Sequence, residues 1–203
     1  MPGRLFLTRD LAELSPEWPV GGLDYGGPRQ NISPGQEVLT LTATGAQMMR
    51  WGIIPVGRKN ARGRPVMETI INARSETVFD KSAFEGVRRA VIPADGWYEW
   101  TGEKRKKTAW SISPKDGSLL FFAAIYDVWN GPGGIKLPQV ATVTCEPNAD
   151  VREIHHRMGV ILSREDVNAW LNADQGGAEA LITPYPDGGL DVNIAEGIDW
   201  SGP

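Results

Sequence analysis

Both histidines of this 203-residue chain stand side by side in Ile154-His155-His156-Arg157-Met158. Histidine has an ordinary pKa close to neutrality, so this segment concentrates proton-transfer capacity in one place. Two more dense segments lie upstream, Ile71-Asn72-Ala73-Arg74-Ser75-Glu76 and Ala94-Asp95-Gly96-Trp97-Tyr98-Glu99-Trp100. Together they supply an amide, guanidiniums, a carboxylate between aromatics and an imidazole. That set suits a charged or sugar-phosphate substrate. Aromatic surroundings desolvate a carboxylate and raise its pKa, which suits Glu99 to acid–base work. In a strand, however, Tyr98 and Trp100 point to the face opposite Glu99, and the bland alternative is a carboxylate facing water. His155 suits protonation of a sugar oxygen, or is a buried ring satisfied by a backbone carbonyl; His156 reads as a bystander. Asn72 offers donors and an acceptor without charge, or caps a following helix. Arg74 and Arg157 match phosphate bidentately, or pair with Glu76 or Glu153. Trp51, Trp97 and Trp100 suit base stacking, at about 1–3 kcal/mol per base, although Trp51 is expected in the core.

Composition narrows the class. The chain is 41% hydrophobic and 23% charged, as in an ordinary soluble globular protein with a real core. No apolar run approaches the roughly 20 residues of a membrane span, and the first residues are too short a stretch for a secretory signal. The single cysteine, Cys145, excludes an internal disulfide framework and is expected to be a buried thiol in a reducing compartment. A cytoplasmic, nucleoid-associated monomer is therefore expected. Neither a zinc-ligand spacing nor a phosphate-cradling glycine loop is present, so no metal and no cofactor are expected. The net charge of -4 is uneven: from Ser163 onward eight acidic residues face one basic residue, Arg164. Basic residues are densest between Arg50 and Lys107, which permits a local basic groove or a merely solvated surface.

These side chains need a scaffold, and short strand-like runs recur. They are Leu5–Thr8, Val38–Thr42, Met49–Ile54, Ala90–Ile92, Ala109–Ile112, Leu119–Tyr126 and Val140–Cys145, many bounded by Gly, Pro, Asn or Asp. Helices are expected from Ser75 through Phe84, around Asp150–Ile154, and after Ser163, where Ser163 and Asp166 form a capping-box-like start. Strands outnumber helices without alternating with them, so the fold class is α+β, in one domain over residues 1–203. The basic segment Gly57–Arg64 reads as a loop, and the stretch after about Ile182 as an irregular wrap.

The chain resembles the SRAP family, the SOS response-associated peptidases, whose members sense abasic sites in single-stranded DNA. The matching segments are Gly3-Arg4, Asn31-Ile32-Ser33-Pro34-Gly35-Gln36, Met49–Pro55, Asn72–Thr77, Ala94–Trp100 and Ile154–Met158, in the family's order. The resemblance implies a compact mixed fold around a β-barrel-like core. It also implies capture of the abasic aldehyde by the residue exposed when Met1 is removed, a cysteine that closes a thiazolidine in the family. By position it assigns catalytic roles to Pro2, Asn72, Glu99 and His155, and DNA contacts to Arg4, Pro34, Arg74, Trp100, Thr144 and Arg157. This sequence departs from the pattern at three places. Position 2 is Pro2, not cysteine. Val56, Gly57 and Arg58 stand where an aromatic often follows the Trp-Gly-x-x-Pro segment. Gly159 replaces the proline after the His-x-Arg-Met motif.

The first departure changes the chemistry. A terminal proline presents a secondary amine, partly neutral at neutral pH, which attacks an aldehyde to give an iminium. Without a β-thiol no thiazolidine closes. The leading expectation is a DNA-damage protein that binds single-stranded DNA and engages abasic sites by a labile iminium, with crosslinking or lyase chemistry. The alternatives are a non-covalent single-stranded-DNA-binding module and a thiol-independent autoprocessing peptidase.

Overall fold

A computed structural model describes residues 2–10, 12, 14, 18–55, 62, 69–80, 84–103 and 106–202. The strands are β1 (Arg4–Leu7), β2 (Arg29–Ile32), β3 (Glu37–Thr42), β4 (Gly45–Trp51), β5 (Asn72–Arg74), β6 (Arg88–Ala94), β7 (Gly96–Glu103), β8 (Lys106–Pro114), β9 (Leu120–Asn130), β10 (Lys136–Cys145), β11 (Met158–Gly159), β12 (Ile161–Leu162) and β13 (Leu190–Ile194). The α-helices are α1 (Asp166–Asn172) and α2 (Gln175–Ala180).

Strands β3, β4, β10, β9 and β6 close into a ring, with β10 parallel to β4 and every other pair antiparallel. Closure pairs the edges that an open sheet would leave exposed, and it encloses a dry interior. The segment Leu120–Tyr126 of β9 is buried along its whole length, because one face fills the barrel and the other is covered. A second sheet, in the order β13-β8-β7-β1-β2, lies against the barrel. Trp97 of β7 meets Phe122 of β9 edge-on at 5.6 Å, and both rings are fully buried.

The chain passes from barrel to second sheet at Ala94-Asp95-Gly96. A side chain at Gly96 would meet the Ile112 carbonyl oxygen at 2.3 Å and the Phe6 ring at 2.4 Å, so the crossing needs glycine. The Asp95 carboxylate accepts from the Thr8 backbone and hydroxyl and pairs with Arg9, which fixes the corner to β1. This corner sets the direction of β7 and hence of Glu99.

Each strand-like run of the sequence overlaps an observed strand. The helix expected from Ser75 is a 3-10 turn over Ser75–Thr77; residues 81–83 of that stretch lie outside the described residues. Around Asp150–Ile154 the chain makes hydrogen-bonded turns instead of a helix. The Ser163 start is as expected, with the Asp166 backbone N–H donating to the Ser163 hydroxyl at 3.2 Å. The stretch after Ile182 is not wholly irregular, since β13 pairs with β8. Its single buried residue is Leu190, so the strand rests on backbone pairing and leaves little hydrophobic pattern to read. The basic loop Gly57–Arg64, Arg62 excepted, lies outside the described residues, as do Val56, Gly57 and Arg58. Among the described residues no helix is long and apolar enough to cross a membrane.

Trp97 carries the contact between sheet and barrel. Trp97→Ala should cost about 3–5 kcal/mol of unfolding free energy, read from urea titrations, because the site cannot collapse around a lost indole. A loss under about 1 kcal/mol would show that the two layers do not depend on that contact.

Candidate functional site

β10 organises the site. β5 lies parallel to it, with Asn72 opposite Thr142 and Arg74 opposite Thr144. β11 pairs antiparallel with the end of the same strand, Thr144 opposite Gly159 and Cys145 opposite Met158. The motifs around Asn72 and His155, 83 positions apart by their numbering, are therefore held by neighbouring residues of one strand.

The Asn72 amide N–H donates to the Pro2 carbonyl at 3.0 Å, and its oxygen accepts from the Thr142 hydroxyl. The two partners fix the amide's orientation and hold residue 2 in place. Pro2 is buried. A side chain at Gly159 would strike the Phe122 ring at 2.5 Å and touch the Pro2 ring at 3.4 Å. Gly159 thus gives Phe122 its room, and the departures at positions 2 and 159 lie against each other.

Glu99 is 4% exposed on β7. Burial pushes its carboxyl up to about 7, against the opposing pull of the α-amino charge of Met1. His155 moves the other way. Burial brings it down to about 4, helped by the same α-amino charge and by His156, whose ring stacks on it at 4.4 Å. The Arg157 backbone N–H reaches His155 Nδ1 at 3.0 Å. The Arg157 carbonyl lies 3.1 Å from the same nitrogen, so Nδ1 faces both a donor and an acceptor. At neutral pH the imidazole is uncharged, and the carboxyl is the group that titrates.

The residues expected at DNA divide. Arg74 is exposed beside Asn72. Pro34 is half-buried in a Ser33–Gln36 turn, where Gly35 supplies the positive φ of 92° that a type II turn needs after proline. Arg4 and Trp100 are half-buried on the face of β7 opposite Glu99. Thr144 and Arg157 are buried and engaged within the protein. Thr144 is 0% exposed, with its hydroxyl donating to the Ala73 carbonyl at 3.2 Å. Arg157 is 8% exposed and grips Glu76 bidentately, together with the Thr144 carbonyl. Its hydrogen bond holds the Glu76 carboxyl down to about 2. This pair braces the His155 turn against the Ser75–Thr77 turn. Of the basic stretch Arg50–Lys107, Arg50 donates to the Gly52 carbonyl, Arg88 lies over Tyr126, and Arg89 holds the Trp170 and Ala173 carbonyls at the end of α1. Those cations serve structure more than a groove.

Cys145 is buried, and burial pushes its thiol up to about 11. Among the described residues no group of three or more His, Cys, Asp or Glu could hold a metal ion. The sequence reading missed Thr142, the partner of the Asn72 oxygen. The alternation Thr142-Val143-Thr144 was its signal, since hydroxyls inside a strong strand run need partners.

The two titrations have opposite signs. Glu99 binds protons more tightly folded than unfolded, so its contribution to stability falls as pH rises from about 4.5 to about 7. His155 binds them less tightly, so its contribution is lost as pH falls from 6.5 to about 4. Through most of this range the slopes oppose each other. Glu99→Gln should leave the rising slope of His155 and add up to about 3 kcal/mol at pH 8, at about 1.4 kcal/mol per pKa unit. His155→Gln should leave the falling slope. Urea midpoints of the three proteins from pH 4 to 8 check this, and three parallel profiles would refute the assignment.

Known proteins share this arrangement's sequence and fold. The family model described as SOS response associated peptidase (SRAP) matches residues 1–195. The abasic site processing protein YoqW of Bacillus subtilis is 35% identical over 169 residues, covering 78% of this chain and 74% of that protein. The abasic site processing protein HMCES of Gallus gallus is 31% identical over 148 residues, covering 61% of this chain and 44% of its own length. A solved protein of Bordetella bronchiseptica superposes with a TM-score of 0.78 at 21% identity, covering 96% of this chain and 99% of that one. A phage-related protein of the same organism gives a TM-score of 0.71 at 26% identity, over 96% and 94% of the two chains. With nearly its whole length matched and its motifs gathered around one strand, the chain belongs to the SRAP family.

Proposed function

We propose that this chain engages abasic sites in single-stranded DNA at the pocket of Pro2, Asn72, Glu99 and His155, with Pro2 as an iminium-forming nucleophile once Met1 is removed. The observation that carries the reading is the Asn72 amide, which holds the Pro2 carbonyl at 3.0 Å. The reading adds to the nitrogen that removal of Met1 would free a carboxyl with a pKa of about 7 on Glu99 and a neutral imidazole on His155. The naming of relatives as abasic site processing proteins supports the choice of substrate.

The chemistry balances with these groups. The Pro2 nitrogen attacks C1′ of the ring-opened aldehyde, and its proton moves to the new alkoxide, giving a carbinolamine. Protonated Glu99 donates to that hydroxyl, which leaves as water while the nitrogen lone pair forms the iminium. Glu99 is left as a carboxylate beside the cation. Addition of water reverses the sequence. Alternatively the carboxylate takes a C2′ proton, and elimination expels the 3′-phosphate. The His155 imidazole is suited to hold the sugar oxygen as the ring opens. Asn72 fixes residue 2, and exposed Arg74 beside it suits a backbone phosphate.

A second reading, a non-covalent binding module, is favoured by Pro2 itself, which has no thiol. The autoprocessing peptidase reading gains nothing from Cys145, whose buried thiol stays protonated at neutral pH.

Mature protein should form a crosslink to abasic single-stranded DNA that survives a denaturing gel after borohydride reduction, because an unreduced iminium hydrolyses. Pro2→Cys should convert the labile adduct to a durable one, and Glu99→Ala should slow both. No band under reduction, beside a durable Pro2→Cys band, would leave the binding-module reading. Binding should favour single strands over duplex and weaken with salt. Arg74→Gln should lower the slope of log affinity against log salt by about 1. An unchanged slope would remove Arg74 from the phosphate path.

A further inference from the structure

The reverse side of β7 is covered by the chain's own last residues. Tyr98 and Trp100 alternate with Glu99, so they project from the outer face, where Arg4 is the cross-strand partner of Tyr98. Trp200 meets both aromatics edge-on, its ring centre 5.0 Å from that of Tyr98 and 5.4 Å from that of Trp100. Next to them Asn31 is 1% exposed. Its amide N–H groups donate to the carbonyls of Asp199 at 3.0 Å and Gly202 at 2.6 Å, and its oxygen accepts from Arg4.

We propose that the stretch Asp199–Gly202 is an internal ligand of this face, and that an unpaired nucleobase replaces Trp200 when a DNA strand binds. The inference rests on the nucleic-acid reading above, in which Arg4 and Trp100 are already expected at DNA, and adds a competitor to it. Three observations carry it. The stretch joins a flat ring to a negative charge, the Trp200 indole next to the Asp199 carboxylate. Trp200 itself is 36% exposed, and the family match ends at residue 195, before the stretch begins. The groups it covers are those that recognise single strands, namely two aromatic faces, a primary amide and a guanidinium. Arg4 lies two positions after Pro2 on the same strand, so DNA can run from the pocket around the start of β1 to this face.

The experiment compares binding of a fluorescein-labelled single-stranded oligothymidylate by wild type, Trp200→Ala and Trp200→Phe. Removing a competitor that holds the face most of the time should tighten binding of Trp200→Ala about fivefold, with Trp200→Phe near wild type. A synthetic peptide of residues 196–203 should weaken DNA binding when added in excess, and this arm decides if Trp200→Ala does not fold. Weaker binding by Trp200→Ala would make Trp200 a DNA contact and overturn the proposal. Unchanged affinity, or no competition by the peptide, would place the face off the DNA path and overturn it while leaving the pocket reading intact. No DNA binding by any of the three proteins would overturn both.

Discussion

The structure depends on β10 being paired along both edges. Barrel closure demands that pairing, because an unpaired edge in the interior would strand backbone donors and acceptors. One edge goes to β9. The other is shared: β4 pairs as far as Val140, and β5 takes over from Thr142. The hand-over is made by backbone bonds, Gly52 N–H to the Val140 carbonyl at 2.8 Å and Thr142 N–H to the Ile71 carbonyl at 3.1 Å. The chain leaves the edge at Gly52, whose φ of 132° suits glycine, and returns to it at Ile71. That return delivers Asn72 to Thr142. β11 then uses the end of the strand to deliver His155 and Arg157.

Burial, more than partner charge, sets the chemical character of the site. Removal from water raises a carboxyl and lowers an imidazole. Here it does both, and the two groups trade places. Glu99 becomes the group poised near neutrality, while His155 becomes a neutral hydrogen-bonding group. The strongly paired cation of the motif, Arg157, is diverted to Glu76 and to the backbone of β10. Its role is to keep the His155 turn against β5. Asn148 and Asp150 assist from the other side by tying that turn to the backbone at Pro186, Gly188 and Leu190.

The departures from the family pattern make local sense together. The Phe122 ring occupies the space beside Gly159, and Pro2 borders the same space. Proline at position 2 brings a ring and a secondary amine where a thiol would stand, and glycine at 159 removes a neighbouring side chain.

By itself the sequence determined the strand-rich class, the strong strands and the identity of the candidate site groups. Runs such as Leu119–Tyr126 are legible because burial on both faces demands unbroken apolar residues. Asn72, Glu99 and His155 are legible because their types are chemically uncommon in such surroundings. The tertiary structure alone decided which groups face one another. β5 and β13 are short or exposed strands held by backbone pairing, which leaves no hydrophobic period to read. Arg157 and Thr144 have the chemistry of DNA contacts, and only packing shows them buried in a brace. The split of β7 into a Glu99 face and a Tyr98–Trp100 face follows from strand alternation, but its covering by Trp200 does not. The partner that buries a side chain comes from elsewhere in the chain, and local pattern carries no information about it.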